Sequence, residues 1–372
     1  MENFVVSARK YRPLGFQEVV GQEHITTTLQ NAIKNNHLAQ ALLFCGPRGV
    51  GKTTCARILA REINEFHADN PLEANNNLNI YELDAASNNS VDDIRNLIDQ
   101  VRYPPQQGKY KVYIIDEVHM LSTAAFNAFL KTLEEPPPYA IFILATTEKH
   151  KVIPTILSRC QIYDFNRIEI TDMIGQLERI AGNEGLEVEE EALHLIAQKA
   201  DGALRDALSI FDLIVTFSSE KKITYQNTIK NLHILDYDYY FKVTQSLLQE
   251  DLPGTLMIFD EILKNGFDGH NFIVGLAEHF RNLLVYKDEV TLQLLKVAEN
   301  VKTKYGEQAR EVSMSFLLTG LNLLNQCDIQ YKGSKNQRLH VEICLMKLAN
   351  INNALKLASI GDSGAKKKMM GS

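Results

Sequence analysis

Residues 46–54 read GPRGVGKTT. This fits G-x-x-x-x-G-K-[ST], with Gly46, Gly51, Lys52 and Thr53 in the fixed places. The loop Gly46, Pro47, Arg48, Gly49, Val50, Gly51, Lys52, Thr53 and Thr54 is suited to turn backbone N–H groups toward phosphate oxygens. Lys52 would reach the β- and γ-phosphates, and the Thr53 hydroxyl would ligate Mg²⁺. A second cluster lies in VYIIDE, residues 112–117. Its apolar run places Asp116 and Glu117 at the C-terminal edge of a buried strand, where open α/β sheets bind ligands. Asp116 would hold Mg²⁺, and Glu117 would orient and activate an attacking water. A holder of nucleotide needs the metal ligand and no base, so the adjacent carboxylates favour hydrolysis. Read alone, the acidic pair could cap the next helix, where Ser122 and Thr123 follow; the phosphate loop in the same chain weighs against that.

Three further residues carry weaker signals. LATT, residues 144–147, ends a strand, and a hydroxyl there, Thr147 being favoured, can bond a γ-phosphate or the attacking water. Its plain alternative is a β-branched residue at a strand end. Arg205, in DGALRDALSIFD, stands in the first turn of a helix, where the macrodipole favours acids. That conflict points to an anionic partner, or to an ion pair with Asp201 or Asp206. Arg159, in ILSRC, either supplies charge to a phosphoryl group held by another molecule or is a surface arginine in an exposed ion pair. Spacing alone does not choose between these.

The elements that would position these groups alternate over the first part of the chain. Strands are predicted at ALLFC (41–45), NIYEL (79–83), KVYIID (111–116), AIFILAT (140–146) and QIYDF (161–165), with helical patterns between them. Near-continuous apolar strands separated by helices predict an α/β fold with a parallel sheet covered on both faces. The helix KTTCARILAREI directly follows the phosphate loop, with its N-terminus facing the anion. Beyond Asn166 the pattern is helical. DMIGQLERIAGNEG and EEEALHLIAQKADG each end at a glycine. Leu256, Phe259, Ile262 and Leu263, then Phe272, Leu276, Phe280 and Leu284, recur at helix spacing. The expected domains are a nucleotide-binding domain over 1–166, a small helical domain over 167–230, an all-helical domain over 231–358 and a disordered tail over 359–372. NPLEANNNLN (70–79) reads as a loop.

The chain has 372 residues, 45% hydrophobic and 23% charged, with a net charge of −7. That balance argues against coating nucleic acid through bulk charge and leaves room for a local basic groove. No apolar run approaches the ~18–20 residues of a membrane span, and the N-terminus lacks the pattern of a secretory signal. Five cysteines at 45, 55, 160, 327 and 344 are scattered, which predicts free thiols in a reducing cytoplasm.

ARKYRPLGFQEVVGQEHI, GPRGVGKTTCAR, ELDAASNNSVDDIR, VYIIDEVHMLS, FNAFLKTLEEPP, LATTEKH, ILSRCQIYDF and GALRDALSIFD occur in this order. Together they resemble the gamma/tau family of bacterial DNA polymerase III clamp-loader subunits, which are AAA+ ATPases. The resemblance is dense over residues 4–215 and weaker in SKNQRLHVEICLMKL. It implies an AAA+ domain with a five-stranded parallel sheet, a helical lid and an all-α collar that oligomerises. It implies hydrolysis of ATP to ADP and phosphate, with Arg159 reaching the ATP of a neighbouring subunit. Arg205 then resembles the lid arginine that reads the γ-phosphate, and Thr147 matches the sensor position. The segment Tyr11 to Gly21 resembles the part that encloses adenine, with Arg12, Pro13, Val19 and Val20 as contacts.

The implied function is loading a sliding clamp onto primed DNA, within the DNA polymerase III holoenzyme. The partners are delta- and delta-prime-type subunits and copies of the chain itself in a five-membered ring. The clamp and primer–template DNA complete the set, with polymerase core and helicase reached through a C-terminal extension absent here. DNA backbone contacts are expected at Ser87, Asn88, Asn89 and Ser90, with Arg95 and Lys131. The family usually carries a four-cysteine zinc module after the phosphate-loop helix. REINEFHADNPLEANNNLNIYEL has no cysteine and one histidine, His67, so ATP and Mg²⁺ are expected and zinc is not. The alternatives are another AAA+ DNA motor, a non-hydrolysing structural subunit of the same ring, and a small-molecule kinase. FLKTLEEPP speaks against the first and intact Lys52, Thr53, Asp116 and Glu117 against the second. The wholly helical final half, with no evident acceptor-substrate lid, speaks against the third.

Overall fold

A computed structural model describes residues 5–65, 79–105, 108–218, 221–232, 235–295, 297 and 299–353. His67, nearly all of the asparagine-rich loop, and the tail over 359–372 lie outside the described residues. The chain divides into two units, Met1–Thr228 and Ile229–Ser372.

The first unit begins with α1 (Ser7–Lys10) and α2 (Glu23–Lys34). Then come β1 (Ala41–Cys45), α3 (Lys52–Glu62), β2 (Ile80–Asp84), α4 (Val91–Val101), β3 (Lys111–Asp116), α5 (Thr123–Glu134), β4 (Ala140–Thr146), α6 (Pro154–Leu157) and β5 (Gln161–Asp164). The five strands form one sheet in the order β2-β3-β4-β1-β5, and each adjoining pair is parallel. The pleat explains the apolar runs. Leu42 and Phe44 of β1 enter a core with Ile25, Leu29, Ile58 and Leu59 of α2 and α3. Ala41, Leu43 and Cys45 enter the opposite core with Ile94, Phe126 and Phe129 of α4 and α5. Neither face of β1, β3 or β4 is left to water, so alternation disappears from those strand sequences.

Local signals set the helix starts. Ser90 and Asp93 form a capping box at α4, and the Ser122 hydroxyl accepts from the Ala125 N–H at α5. Next come α7 (Ile170–Glu184), β6 (Glu187–Val188), α8 (Glu190–Ala200), α9 (Leu204–Phe217) and β7 (Lys222–Ile223). Gly185 closes α7 in the left-handed conformation as the sequence suggests. At α8 that conformation falls first on Asp201, one residue before Gly202. The parallel pair β6 and β7 was not expected in this helical stretch.

α10 (Tyr225–Leu232) carries the chain past the division between units. The second unit then holds α11 (Tyr237–Leu248), α12 (Leu252–Lys264), α13 (Gly269–Tyr286), α14 (Glu299–Glu311), α15 (Met314–Tyr331) and α16 (Gln337–Ala349). Phe259, Ile262, Phe272, Leu276 and Phe280 are buried in its core, and Leu256, Leu263 and Leu284 pack against it. Among the described residues no helix is long and apolar enough to cross a membrane. All five cysteines are free thiols, and burial pushes those of Cys45 and Cys55 up to about 11 and about 12.

Candidate nucleotide-binding site

The phosphate loop leaves β1, which lies between β4 and β5 in the sheet. Strand register places Cys45 beside Thr146 and Asp84 beside Asp116, so the C-terminal ends of four strands share one edge. Two glycines explain the loop's shape. At Gly46 an added Cβ would stand 2.5 Å from the Phe165 carbonyl oxygen, so no side chain fits. Gly51 takes φ +104° immediately before α3, a conformation that favours glycine. The N–H groups that open α3 then have no earlier helical partners, as an anion site requires.

Lys52 is 6% exposed and donates to the carbonyls of Gly46 at 2.8 Å and Pro47 at 2.7 Å. Burial lowers its pKa, and the carboxylates of Glu117 and Asp116 oppose that shift. The Thr53 hydroxyl donates to Asp116 Oδ2 at 2.7 Å. Both are hard oxygen donors of the kind Mg²⁺ takes, so the pair fits that ion. Thr147 donates to Glu117 Oε2 from its N–H at 3.2 Å and its hydroxyl at 3.0 Å. Thr146 is fully buried instead and accepts from the Glu148 N–H. The structure therefore brings Thr53, Asp116, Glu117 and Thr147 together at one sheet edge.

A cavity of about 500 Å³ opens over this edge. It is lined by Arg48 through Thr54, by Asp116 and Glu117, and by Arg12, Pro13, Val19, Val20 and Arg205. Gly46, Pro47 and Thr147 are not among the lining residues. The sequence reading overlooked Ala8, Ile168, Gln176, Leu204 and Leu208, which also line the cavity, as does Tyr11. The i,i+4 pair Leu204 and Leu208 beside Arg205 was the available signal.

Secondary contacts hold the walls. Gln22, wholly buried, donates to the carbonyls of Asn166 at 2.7 Å and Val50 at 3.5 Å, and accepts from the Asn166 N–H at 3.2 Å. It thereby fastens the loop to the segment after β5. Buried Arg61 donates to the Leu14 carbonyl at 2.9 Å, tying the Arg12–Val20 wall to the end of α3. Ser7 donates to Asp212 on α9, while Lys10 and Tyr11 both reach Glu184 on α7. Hydrogen bonding from Lys10 and Tyr11 pulls the Glu184 carboxyl below its usual range.

The two remaining arginines behave differently. Arg205 forms no ion pair among the described residues; Asp201 pairs with Arg167, and the Arg205 N–H donates to the Gly49 carbonyl at 3.3 Å. Arg159 is absent from the cavity wall. It is exposed, bonds Glu134 at 2.6 Å and caps the Thr155 carbonyl at 2.7 Å.

Ser87, Asn88, Asn89 and Ser90 form the turn before α4, Arg95 lies on α4, and Lys131 lies on the adjoining α5. The N–H groups of Ser87 and Asn88 donate to the Asp84 carbonyl, and that of Ser90 donates to Asp93 Oδ2. Arg95 pairs with Asp92 at 3.2 Å. A phosphate here would have to displace these partners. Among the described residues no group of three or more His, Cys, Asp or Glu side chains is placed to hold a metal ion.

The chain matches the family model "DNA polymerase III, delta subunit" over residues 21–169. It matches "DNA polymerase III clamp loader subunit, ATPase lid domain" over residues 172–220. It is 40% identical over 356 residues to the DNA polymerase III subunit tau of Bacillus subtilis, covering 93% of this chain and 63% of that protein. It is 32% identical over 365 residues to the DNA polymerase III subunit gamma of Buchnera aphidicola, covering 94% of this chain and 98% of that one. The chain thus spans less than two thirds of the tau relative and nearly all of the gamma relative. The solved RuvB Holliday junction branch migration motor of Thermotoga maritima is similar at 21% identity and a TM-score of 0.49, over 64% of this chain and 79% of that one. By the extent and identity of the tau and gamma matches, the chain belongs to the gamma/tau family of DNA polymerase III clamp-loader subunits.

Proposed function

We propose that the chain is an ATP-hydrolysing subunit that opens a sliding clamp and loads it onto primed DNA during replication. The observation that carries this reading is the side-chain cluster at the phosphate loop: Thr53 on Asp116, and Glu117 on Thr147. A subunit that only held nucleotide would have no use for the second pair.

On this reading Lys52 leaves the carbonyls of Gly46 and Pro47 for the β- and γ-phosphates of ATP. Thr53 and Asp116 hold Mg²⁺, which would draw charge from the phosphoryl oxygens. Glu117 orients a water and takes its proton, and Thr147 bonds either that water or a γ-phosphate oxygen. Arg12, Pro13, Val19 and Val20 enclose adenine, and Arg205 reads the γ-phosphate. Residues 1–166 act as the nucleotide-binding domain, 167–230 as lid and 231–358 as collar. The ring contains delta- and delta-prime-type subunits and further copies of this chain. Primer–template DNA runs along the α4 and α5 face, at Ser87, Asn88, Asn89, Ser90, Arg95 and Lys131, and is bound through its backbone and not its base edges. This places the chain at the replisome in the cytoplasm.

Arg159 supplies charge to the neighbour's ATP. Its exposed pair with Glu134 is worth only ~0–1 kcal/mol, so docking against a neighbour readily exchanges it. An arginine supplied in trans contributes about 10³-fold or more in rate, which is roughly 4 kcal/mol of barrier. The test is ATP turnover per subunit across a dilution series, with clamp, primed DNA and the other loader subunits, for the unmodified chain and Arg159→Ala. Turnover should fall on dilution, and Arg159→Ala should bind ATP normally yet hydrolyse it at least a hundredfold more slowly. Turnover that ignores both dilution and the substitution would refute a shared site.

A further inference from the structure

We propose that His119 is a positioning residue for hydrolysis, one that holds the Glu117 carboxylate in register with the end of β4. The inference deepens the reading above and rests on Glu117 acting as base.

His119 lies in the single turn Val118–Met120 that follows the acidic pair. Its neighbour Met120 is 46% exposed, whereas the His119 side chain is only 7% exposed. The turn therefore directs a polar ring inward and an apolar chain outward, the reverse of what burial alone would favour. Nδ1 stands 3.0 Å from Thr146 Oγ1 and 3.4 Å from Glu117 Oε2. Nε2 stands 3.5 Å from Glu148 Oε1. Each of these three partners is a side chain, and one of them is the carboxylate that activates water.

The contacts close a circuit. Glu117 Oε2 accepts from Thr147, the Glu148 N–H donates to Thr146 Oγ1, and His119 joins Thr146 back to Glu117. Among the described residues, the side chains that meet Glu117 Oε2 are the Thr147 hydroxyl and this imidazole, so without His119 the hydroxyl is left to hold it. Thr147 is also the hydroxyl wanted at the γ-phosphate. With His119 in place, Thr147 can turn to a phosphate oxygen while Glu117 stays aimed. A base displaced by an ångström costs on the order of 10²-fold in rate, so the imidazole acts on turnover and not on nucleotide affinity.

The experiment compares the unmodified chain with His119→Ala, His119→Asn, Glu117→Gln and the double variant Glu117→Gln/His119→Ala. Each is measured for ATP affinity and single-turnover hydrolysis in the assembled loader with clamp and primed DNA. His119→Ala should lower the hydrolysis rate about 10- to 100-fold while leaving ATP affinity within roughly threefold. His119→Asn, whose amide can stand where Nδ1 stands, should recover much of the loss. The double variant should be no slower than Glu117→Gln, as expected of residues acting as a unit. Full activity in His119→Ala overturns the inference. So does an equal loss in both His119 variants with weakened ATP binding, because that marks a packing role. If Glu117→Gln itself hydrolyses ATP like the unmodified chain, the assignment of Glu117 fails first, and the role of His119 falls with it.

Discussion

Lys52→Met separates what the lysine does for the fold from what it does for a phosphate. The ammonium is 6% exposed and bonds two carbonyls, at 2.8 Å and 2.7 Å. Removing such a group from water costs several kcal/mol even after relaxation. Hydrogen bonds from a charged donor return about 1.5–3 kcal/mol each. The two contributions nearly cancel, and methionine keeps most of the aliphatic stem. The unfolding free energy at pH 7 should therefore change by less than about 2 kcal/mol. Loss of the same two charged bonds to phosphate oxygens, ~3–6 kcal/mol together, predicts an ATP affinity weakened roughly 10²- to 10⁴-fold. The pH dependence has a definite sign. Burial lowers the folded pKa below 10.5, so between the folded value and 10.5 the unfolded chain binds more protons. Stability then rises with pH through that window in the unmodified chain, and Lys52→Met should lose the rise. Urea unfolding followed by tyrosine fluorescence, at several pH values, with ATP used to identify the transition of the Met1–Thr228 unit, measures both effects. A loss above ~3 kcal/mol at pH 7 would make Lys52 a structural pin. An ATP affinity within tenfold of the unmodified chain would mean that Lys52 never leaves the Gly46 and Pro47 carbonyls. Either result refutes the reasoning.

Two further outcomes follow from buried polar groups. Gln22→Ala strands the Asn166 N–H, the Asn166 carbonyl and the Val50 carbonyl, and should cost about 1–3 kcal/mol in urea unfolding while weakening ATP binding; a loss under ~0.5 kcal/mol would show that water replaces the amide. In the second unit His279 is 1% exposed, bonded to Tyr305 and Gln308, and burial lowers its pKa from 6.5 to about 4. The unfolded chain takes up the proton first, so this contribution is complete above pH 6.5 and is lost as pH falls toward about 4, by at most ~3 kcal/mol. His279→Gln should flatten that part of the pH–stability curve, and an unchanged curve would exclude His279 as its source.

Much of the fold was legible because it rests on local regularities. β1, β3 and β4 stand where their apolar runs place them, and β2 and β5 differ by a residue at one or both ends. Strands buried on both faces announce themselves by composition. The pair β6 and β7 does not, because two-residue strands are too short to carry a pattern. The end of α8 was read from Gly202, yet Asp201 takes the left-handed conformation first. An acid can adopt that backbone at small cost, and sequence favours the commoner glycine. At the site, the loop and the acidic pair were legible because each is contiguous. His119 and Gln22 were not, since a lone polar residue in a helical or turn sequence does not reveal whether it is buried.

By itself the sequence determined which chemical groups the chain offers at the phosphate loop and the acidic strand end. GPRGVGKTT and the Asp116–Glu117 pair specify their own backbone geometry, because turn, strand end and helix start are settled within a few neighbouring residues. Only the tertiary structure decided which groups meet. The strand order places β4 between β1 and β3, and so puts Thr147 against Glu117 and buries Thr146. It also leaves Arg159 outside the cavity, holding Glu134 on the surface of its own subunit. Strand order and pairing are long-range choices, made by hydrogen bonds and packing between segments far apart in the chain, and no local spacing of residues encodes them.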